Sequence, residues 1–243
     1  MNKKITLALI LWAVSFSFAW SDCKCQFHSD HFADLWSSDR KNGLVVCGVF
    51  DKKVKNWVYS NGIEVSKCIS GEKLLLISEV YSCSFLKDNG RIIIRQLMRW
   101  PFEGIDSAWK DVPCYEYQFQ FKDNGKLEIK EYFILEPPNY SKFRIQGIIQ
   151  KYKKTKDALN GPGEEEFRRK NGSYEQDIMG QMLACALLGN EQAQNIIPRM
   201  GKDLKVDGEN AEMFADITEI YGSYLEVKKN GGDELKFQKY EEP

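Results

Sequence analysis

The chain has 243 residues, of which 43% are apolar, 13% aromatic and 28% charged. That composition excludes a disordered or collagen-like chain and can build a substantial core, as one large domain or two small ones. Lys plus Arg is 34 and Asp plus Glu is 35, a net charge of -1, so no global field draws the protein to nucleic acid or to an anionic membrane.

Residues 1–19 read as an export signal. Lys3 and Lys4 form a positive start, Ile5 to Phe18 an apolar stretch, and Ser17-Phe18-Ala19 places small residues at a cleavage site before Trp20. The apolar run is short for a membrane-spanning helix, which needs about 20 residues. Cys23 has no small residue directly before it, which argues against a lipid anchor. Losing Lys3 and Lys4 takes the net charge from -1 to -3. The expected destination is the periplasm or the exterior, with no integral membrane segment left after cleavage.

Seven cysteines suit an oxidising compartment. Cys23, Cys25, Cys47, Cys68, Cys83 and Cys114 lie in the N-terminal half and allow up to three bridges, in any of fifteen pairings. Cys185 stands apart between Ala184 and Ala186 and reads as an unpaired, buried thiol. Cys23 and Cys25 are too close to bridge each other comfortably, so each is expected to reach into the strands that follow.

Residues 20–156 read as a strand-rich domain. Tyr115, Tyr117, Phe119 and Phe121 alternate with polar residues, and Leu127, Ile129 and Phe133 recur on one parity after Asp123-Asn124-Gly125. Asn-Gly between alternating runs is a strong hairpin signal. It recurs at Asn61-Gly62 and Asn89-Gly90, and Phe143, Ile145 and Ile149 suggest a last strand. Short turns favour antiparallel neighbours, so a curved or barrel-like meander of six to eight strands is expected.

Residues 157–243 read as a helix-rich segment. Ile178, Met179, Met182, Leu183, Ala186 and Leu187 recur at three and four, an amphipathic stripe closed by Gly189. Asn190 can cap a helix carrying Ala193, Ile196 and Ile197 and stopping near Pro198. A third helix after Asp207-Gly208 carries Met213, Phe214, Ile217 and Tyr221. Beyond Gly222 the chain fits either a terminal hairpin or a helix end. The whole is α+β: a disulfide-stapled antiparallel meander followed by helices.

Most enzyme templates are absent. The only histidines are His28 and His31, and there is no metalloprotease helix, nucleophile elbow, phosphate loop or other cofactor-binding motif. Asp203 to Phe214 copies a calcium loop only in part, with Lys205 and Phe214 where oxygen ligands belong. The basic runs Lys151 to Lys156 and Arg168-Arg169-Lys170 read as solvated linker faces rather than a nucleic-acid site.

Two places stand out. Cys23, Cys25, His28 and His31 pack two thiols and two imidazoles into nine residues, the ligand types of zinc or copper. On a helix the two histidines would share a face. The competing reading has both cysteines oxidised. The second place is Arg99 to Tyr117, a long aromatic connection carrying Trp100, Phe102, Glu103, Asp106, Trp109, Lys110 and Tyr115. Long loops with flat aromatic faces and nearby charges suit binding of a sugar, peptide or protein. The competing reading folds the tryptophans back as a core lid.

The leading expectation is a secreted or periplasmic, non-catalytic protein that binds another protein of the cell envelope, such as an inhibitor or immunity-type partner. One alternative is a secreted hydrolase of cell-wall or carbohydrate substrates, working through carboxylates such as Glu79, Glu103 and Asp106. The other is a metal-binding periplasmic protein.

Overall fold

A computed structural model describes residues 23, 25, 30–101, 109–171 and 174–237. Seven strands come first: β1 (Asp30–Trp36), β2 (Gly43–Val54), β3 (Trp57–Lys67), β4 (Lys73–Asp88), β5 (Arg91–Pro101), β6 (Trp109–Phe121) and β7 (Leu127–Phe133). Five helices follow: α1 (Lys142–Leu159), α2 (Glu164–Asn171), α3 (Tyr174–Leu187), α4 (Glu191–Asp203) and α5 (Gly208–Asn230), and then a two-residue strand, β8 (Glu234–Leu235). The strands are hydrogen-bonded in sequence order from β1 to β8. This is an antiparallel meander with helices behind it in the chain, an α+β protein.

Turn chemistry explains the meander. Asn89 and Gly90 link β4 to β5, both with positive φ (46° and 75°), the conformation that a tight hairpin demands and Asn-Gly tolerates. Asn124-Gly125 links β6 to β7, where Gly125 N–H donates to the Lys122 carbonyl at 2.8 Å. Asn61-Gly62 behaves differently from the sequence expectation. It lies inside β3 and marks a register shift against β4 between Asn61 and Ile63. Gly62 has φ 74°, and the same left-handed freedom that makes Asn-Gly a turn also makes it a bulge. The β2–β3 turn is instead Lys55-Asn56, closing the pair Val54–Trp57.

The chain forms two compact units, one of residues 1–96, 117–130 and 237–243, the other of residues 97–116 and 131–236. In the first, Leu44, Val46, Ile63, Val65, Ile92, Ile94 and Phe119 are at most 1% exposed. Full burial of such side chains is worth roughly 1.5–3 kcal/mol each before the cost of ordering them. Phe237 meets Tyr117 and Phe119 edge-on, with ring centroids 6.5 and 6.4 Å apart.

In the second unit α3 is central. Its Ile178, Met179, Met182, Leu183, Ala184, Cys185 and Ala186 are fully buried, more than one stripe, as a helix enclosed by neighbours requires. Ser141 and Asn190 cap α1 and α4, accepting from the Arg144 and Ala193 backbone N–H groups. Three sequence expectations are corrected here. Residues 143–149 are helical: Ile148, Ile149, Tyr152, Thr155 and Leu159 make the buried stripe of α1, whereas Phe143 is 86% exposed. α4 runs through Pro198 to Asp203, because Ile196, Ile197 and Met200 are buried on both sides of the proline and their burial outweighs its helix penalty. Arg168 is no solvated linker residue: on α2 it meets Glu164 and Glu175, each at 3.3 Å, and donates to the Lys205 carbonyl at 3.2 Å.

The last turn of the chain resolves into a long helix, not a hairpin. Tyr224 to Lys228 belong to α5, and Gly231 ends it with φ 72°. β8 then pairs with β7 through Glu234–Tyr132 and Leu235–Glu131.

Candidate functional site

Cys23 is bridged to Cys68, and Cys25 to Cys47. Cys83, Cys114 and Cys185 are free and buried. The free Cys185 and the two bridges within positions 23–114 follow the sequence reading. The thiol–imidazole cluster does not assemble as a ligand set. Oxidised sulfurs of Cys23 and Cys25 are not thiolate donors, and His31 is an exposed residue of strand β1, not of a helix. His28 lies outside the described residues. Among the described residues no group of three His, Cys, Asp or Glu side chains could hold a metal ion.

The aromatic connection also changes. β5 extends to Pro101 and β6 begins at Trp109, so Trp100 falls on β5 and Trp109 and Lys110 on β6, while Phe102, Glu103 and Asp106 lie outside the described residues. Tyr115 is 5% exposed. Its ring packs edge-on against Phe133 at 5.8 Å and its hydroxyl is 3.1 Å from Ser223 Oγ. Burial first, then the carboxylates of Glu219 and Glu131 together with Cys114, push the Tyr115 hydroxyl pKa up. It is a core residue, not a surface contact. Glu79 is an exposed residue of β4, and no second acid of the proposed pair is described beside it.

A different surface has the makings of a site. The first half of β2, Gly43 to Gly48, is buried, and Val49 to Val54 is exposed. Among the described residues, β1 pairs with β2 as far as Asp30–Gly48. Beyond that point the β2–β3 hairpin carries its side chains to both faces with a period of two. On one face Val58 pairs with Phe85, which is 4% exposed and stacks on Phe32 at 6.1 Å. Trp57 and Tyr59 have the opposite parity, and both are half-buried.

That outer face is both aromatic and cationic. The Arg95 guanidinium of β5 lies 4.5 Å from the centre of the Trp57 ring, and Lys52 Nζ lies 5.4 Å from that of Tyr59. Lys52 is the cross-strand partner of Tyr59, and Val54 that of Trp57. Val54 is 47% exposed, and Phe50, 51% exposed, is the cross-strand partner of Ser60 on the opposite face. Lys55 is exposed in the turn beside Val54, Lys53 is the cross-strand partner of Val58 and so belongs to the opposite face, and Lys52 Nζ also lies 3.7 Å from the Asp51 carboxylate. Each cation–π pair holds a ring open to solvent in one orientation and contributes about 0.5–1 kcal/mol at an exposed site. A register shift between Phe50 and Lys52, with the three lysines, blocks indiscriminate edge pairing along β2, leaving the face as the available surface.

The sequence reading did not single out this face. The alternation around Trp57 and Tyr59 was visible, but which parity meets the core is fixed by Phe32 and Phe85, and Arg95 arrives from a strand two places along the sheet. Comparison with protein-family models, curated proteins and solved structures found no match.

Proposed function

We propose that this is an exported, non-catalytic binding protein of the cell envelope whose partner is another protein, engaged through the Trp57–Tyr59–Arg95 face. The observation that carries the reading is that face itself. Trp, Tyr and Arg are the residue types that most often dominate protein interfaces, and here all three stand together. Lys52 and Arg95 on the face favour a partner surface with acidic groups. Export is supported by the pattern of residues 1–19 and by the two disulfides, which persist in oxidising compartments. Among the described residues, no helix is long and apolar enough to cross a membrane.

The test uses the exported chain as bait for envelope proteins, with in-cell cross-linking to identify what is retained. Trp57→Ala should weaken capture of that protein by ~2 kcal/mol or more, the usual size for an interface anchor. Lys52→Glu, at the exposed cross-strand partner of Tyr59, should weaken it by reversing the charge on that face. Both variants should melt near the wild type. A bait that retains no specific protein, or retains it equally in both variants, overturns the reading. Exported protein should also begin at Trp20 by intact mass, and a product that keeps Met1 contradicts the export step.

A further inference from the structure

Within the first unit, three turns converge at one end of the sheet around a cleft of about 440 Å³. The β1–β2 turn gives Asn42, with Gly43 and Leu44 at the start of β2. The β3–β4 turn gives Ile69 and Ser70, with Lys67 at the end of β3. The β6–β7 hairpin gives Gly125 and Lys126, with Phe121 and Leu127 on its strands. The volume falls in the range of small-molecule sites, roughly 300–1,000 Å³. The cleft lies away from the Trp57–Tyr59 hairpin tip in the register of β2 and β3, since Leu44 pairs with Lys67 at one end and Val54 with Trp57 at the other.

The walls are fixed before any ligand arrives. In the β1–β2 turn the Ser37 hydroxyl donates to Asp39 at 2.6 Å, and Ser37 N–H donates to the Asn42 carbonyl at 2.9 Å. In the β3–β4 turn Lys67 N–H donates to the Glu72 carbonyl and Cys68 N–H to the Gly43 carbonyl, both at 2.8 Å. The Cys23–Cys68 bridge anchors the same turn. A Cβ added at Gly43 would sit 2.7 Å from the Trp36 ring and 3.0 Å from the Cys68 sulfur, so that wall is tightly seated. In the β6–β7 hairpin Lys122 N–H donates to the Lys126 carbonyl at 2.9 Å, and Lys122 pairs with Glu128 at 2.7 Å. A site that needs no ordering on binding keeps more of its interaction energy as affinity.

The lining is amphipathic and of one charge. Leu44, Phe121, Leu127 and Ile69 supply apolar surface, and Ile69 is left 65% exposed. Among the described residues, two lysines line the cleft and no carboxylate does. Lys67 is already paired with Glu72 at 2.6 Å. Lys126 makes no ion pair among the described residues. One uncommitted cation beside apolar walls complements one anionic head on an apolar body.

We infer that this cleft binds a small aliphatic carboxylate, its chain against Leu44, Phe121, Leu127 and Ile69 and its head at Lys126. The site is independent of the Trp57 face.

Calorimetric titration of the disulfide-intact exported chain with decanoate, decanol and decyltrimethylammonium tests it. Decanoate should bind saturably at one site, at least tenfold more tightly than the alcohol or the cation. Lys126→Gln and Ile69→Asp, both at exposed positions, should each weaken decanoate at least tenfold. Trp57→Ala should leave the affinity unchanged. Absence of saturable decanoate binding below its micellar range overturns the inference. So does equal affinity for decanol, or an undiminished affinity in Lys126→Gln.

Discussion

Asp203, at the end of α4, has a side chain only 14% exposed and three charged or polar partners. Tyr152 Oη donates to Oδ2 at 2.5 Å, Lys156 Nζ lies 3.0 Å from Oδ1, and Arg199 Nε lies 3.6 Å from Oδ2. Burial opposes the charge on Asp203, but the Tyr152 and Lys156 hydrogen bonds and the Arg199 charge outweigh it and hold the carboxyl below its ordinary value. Tyr152 is itself 2% exposed on α1, so this contact ties α1 to α4 within the helical unit. Tyr152→Phe should cost about 1.5–3 kcal/mol near neutral pH, the scale of a hydrogen bond to a charged group. The sign of its pH dependence is set by the lowered carboxyl. Stabilisation of the ionised form is complete above the ordinary carboxylate range and is lost as pH falls through the folded pKa. Urea unfolding of both proteins at pH 7 and pH 3 should therefore show a penalty that shrinks in acid. A penalty equal at both pH values would contradict the assignment.

At the scale of elements, the two disulfides are the strongest local constraint. Cys23–Cys68 spans 45 residues and Cys25–Cys47 spans 22. Loop-closure entropy gives upper values of about 4 and about 3 kcal/mol for such spans. Together they fasten the segment before β1 to the β3–β4 turn and to β2. Non-reducing peptide maps should show these two bridges and no others, and reduction should lower the urea midpoint. Native protein should resist alkylation at Cys83 and Cys185, whose thiols burial pushes up to about 12 and about 11, and at Cys114, which burial and the acids Glu219 and Asp216 also push up. A bridge between Cys83 and Cys114, or rapid labelling of the folded chain, would overturn this arrangement. Elements were legible where one local signal sufficed. Period-two alternation located the sheet, and Asn89-Gly90 and Asn124-Gly125 located two of its hairpins. The misreadings arose where one pattern serves two structures. Asn-Gly at 61–62 supplies a bulge as readily as a turn. Phe143, Ile145 and Ile149 alternate like a strand, yet the decisive spacing was Ile148, Tyr152, Thr155 and Leu159.

At the scale of the molecule, the α+β class and the order of strands before helices were readable from composition and period. The candidate face was not, because it depends on contacts among β2, β3 and β5 that no window of sequence contains. Aromatic density drew attention to Arg99–Tyr117, but Tyr115 there serves the core. The cleft was equally hidden: Leu44, Ile69 and Leu127 lie at three separate hairpin ends and share no motif. The interleaving of the two compact units has a consequence for how the chain comes into being. The first unit includes residues 117–130 and 237, and residues 97–116 of the second intervene. Phe237 completes the aromatic cluster on Tyr117 and Phe119. A ribosome that has released only the first hundred residues has therefore released no finished unit. Neither can be excised with a single cut, and a nascent chain stays short of its full core until its last strands have emerged, the unfolded condition in which a polypeptide can still be threaded through a narrow pore.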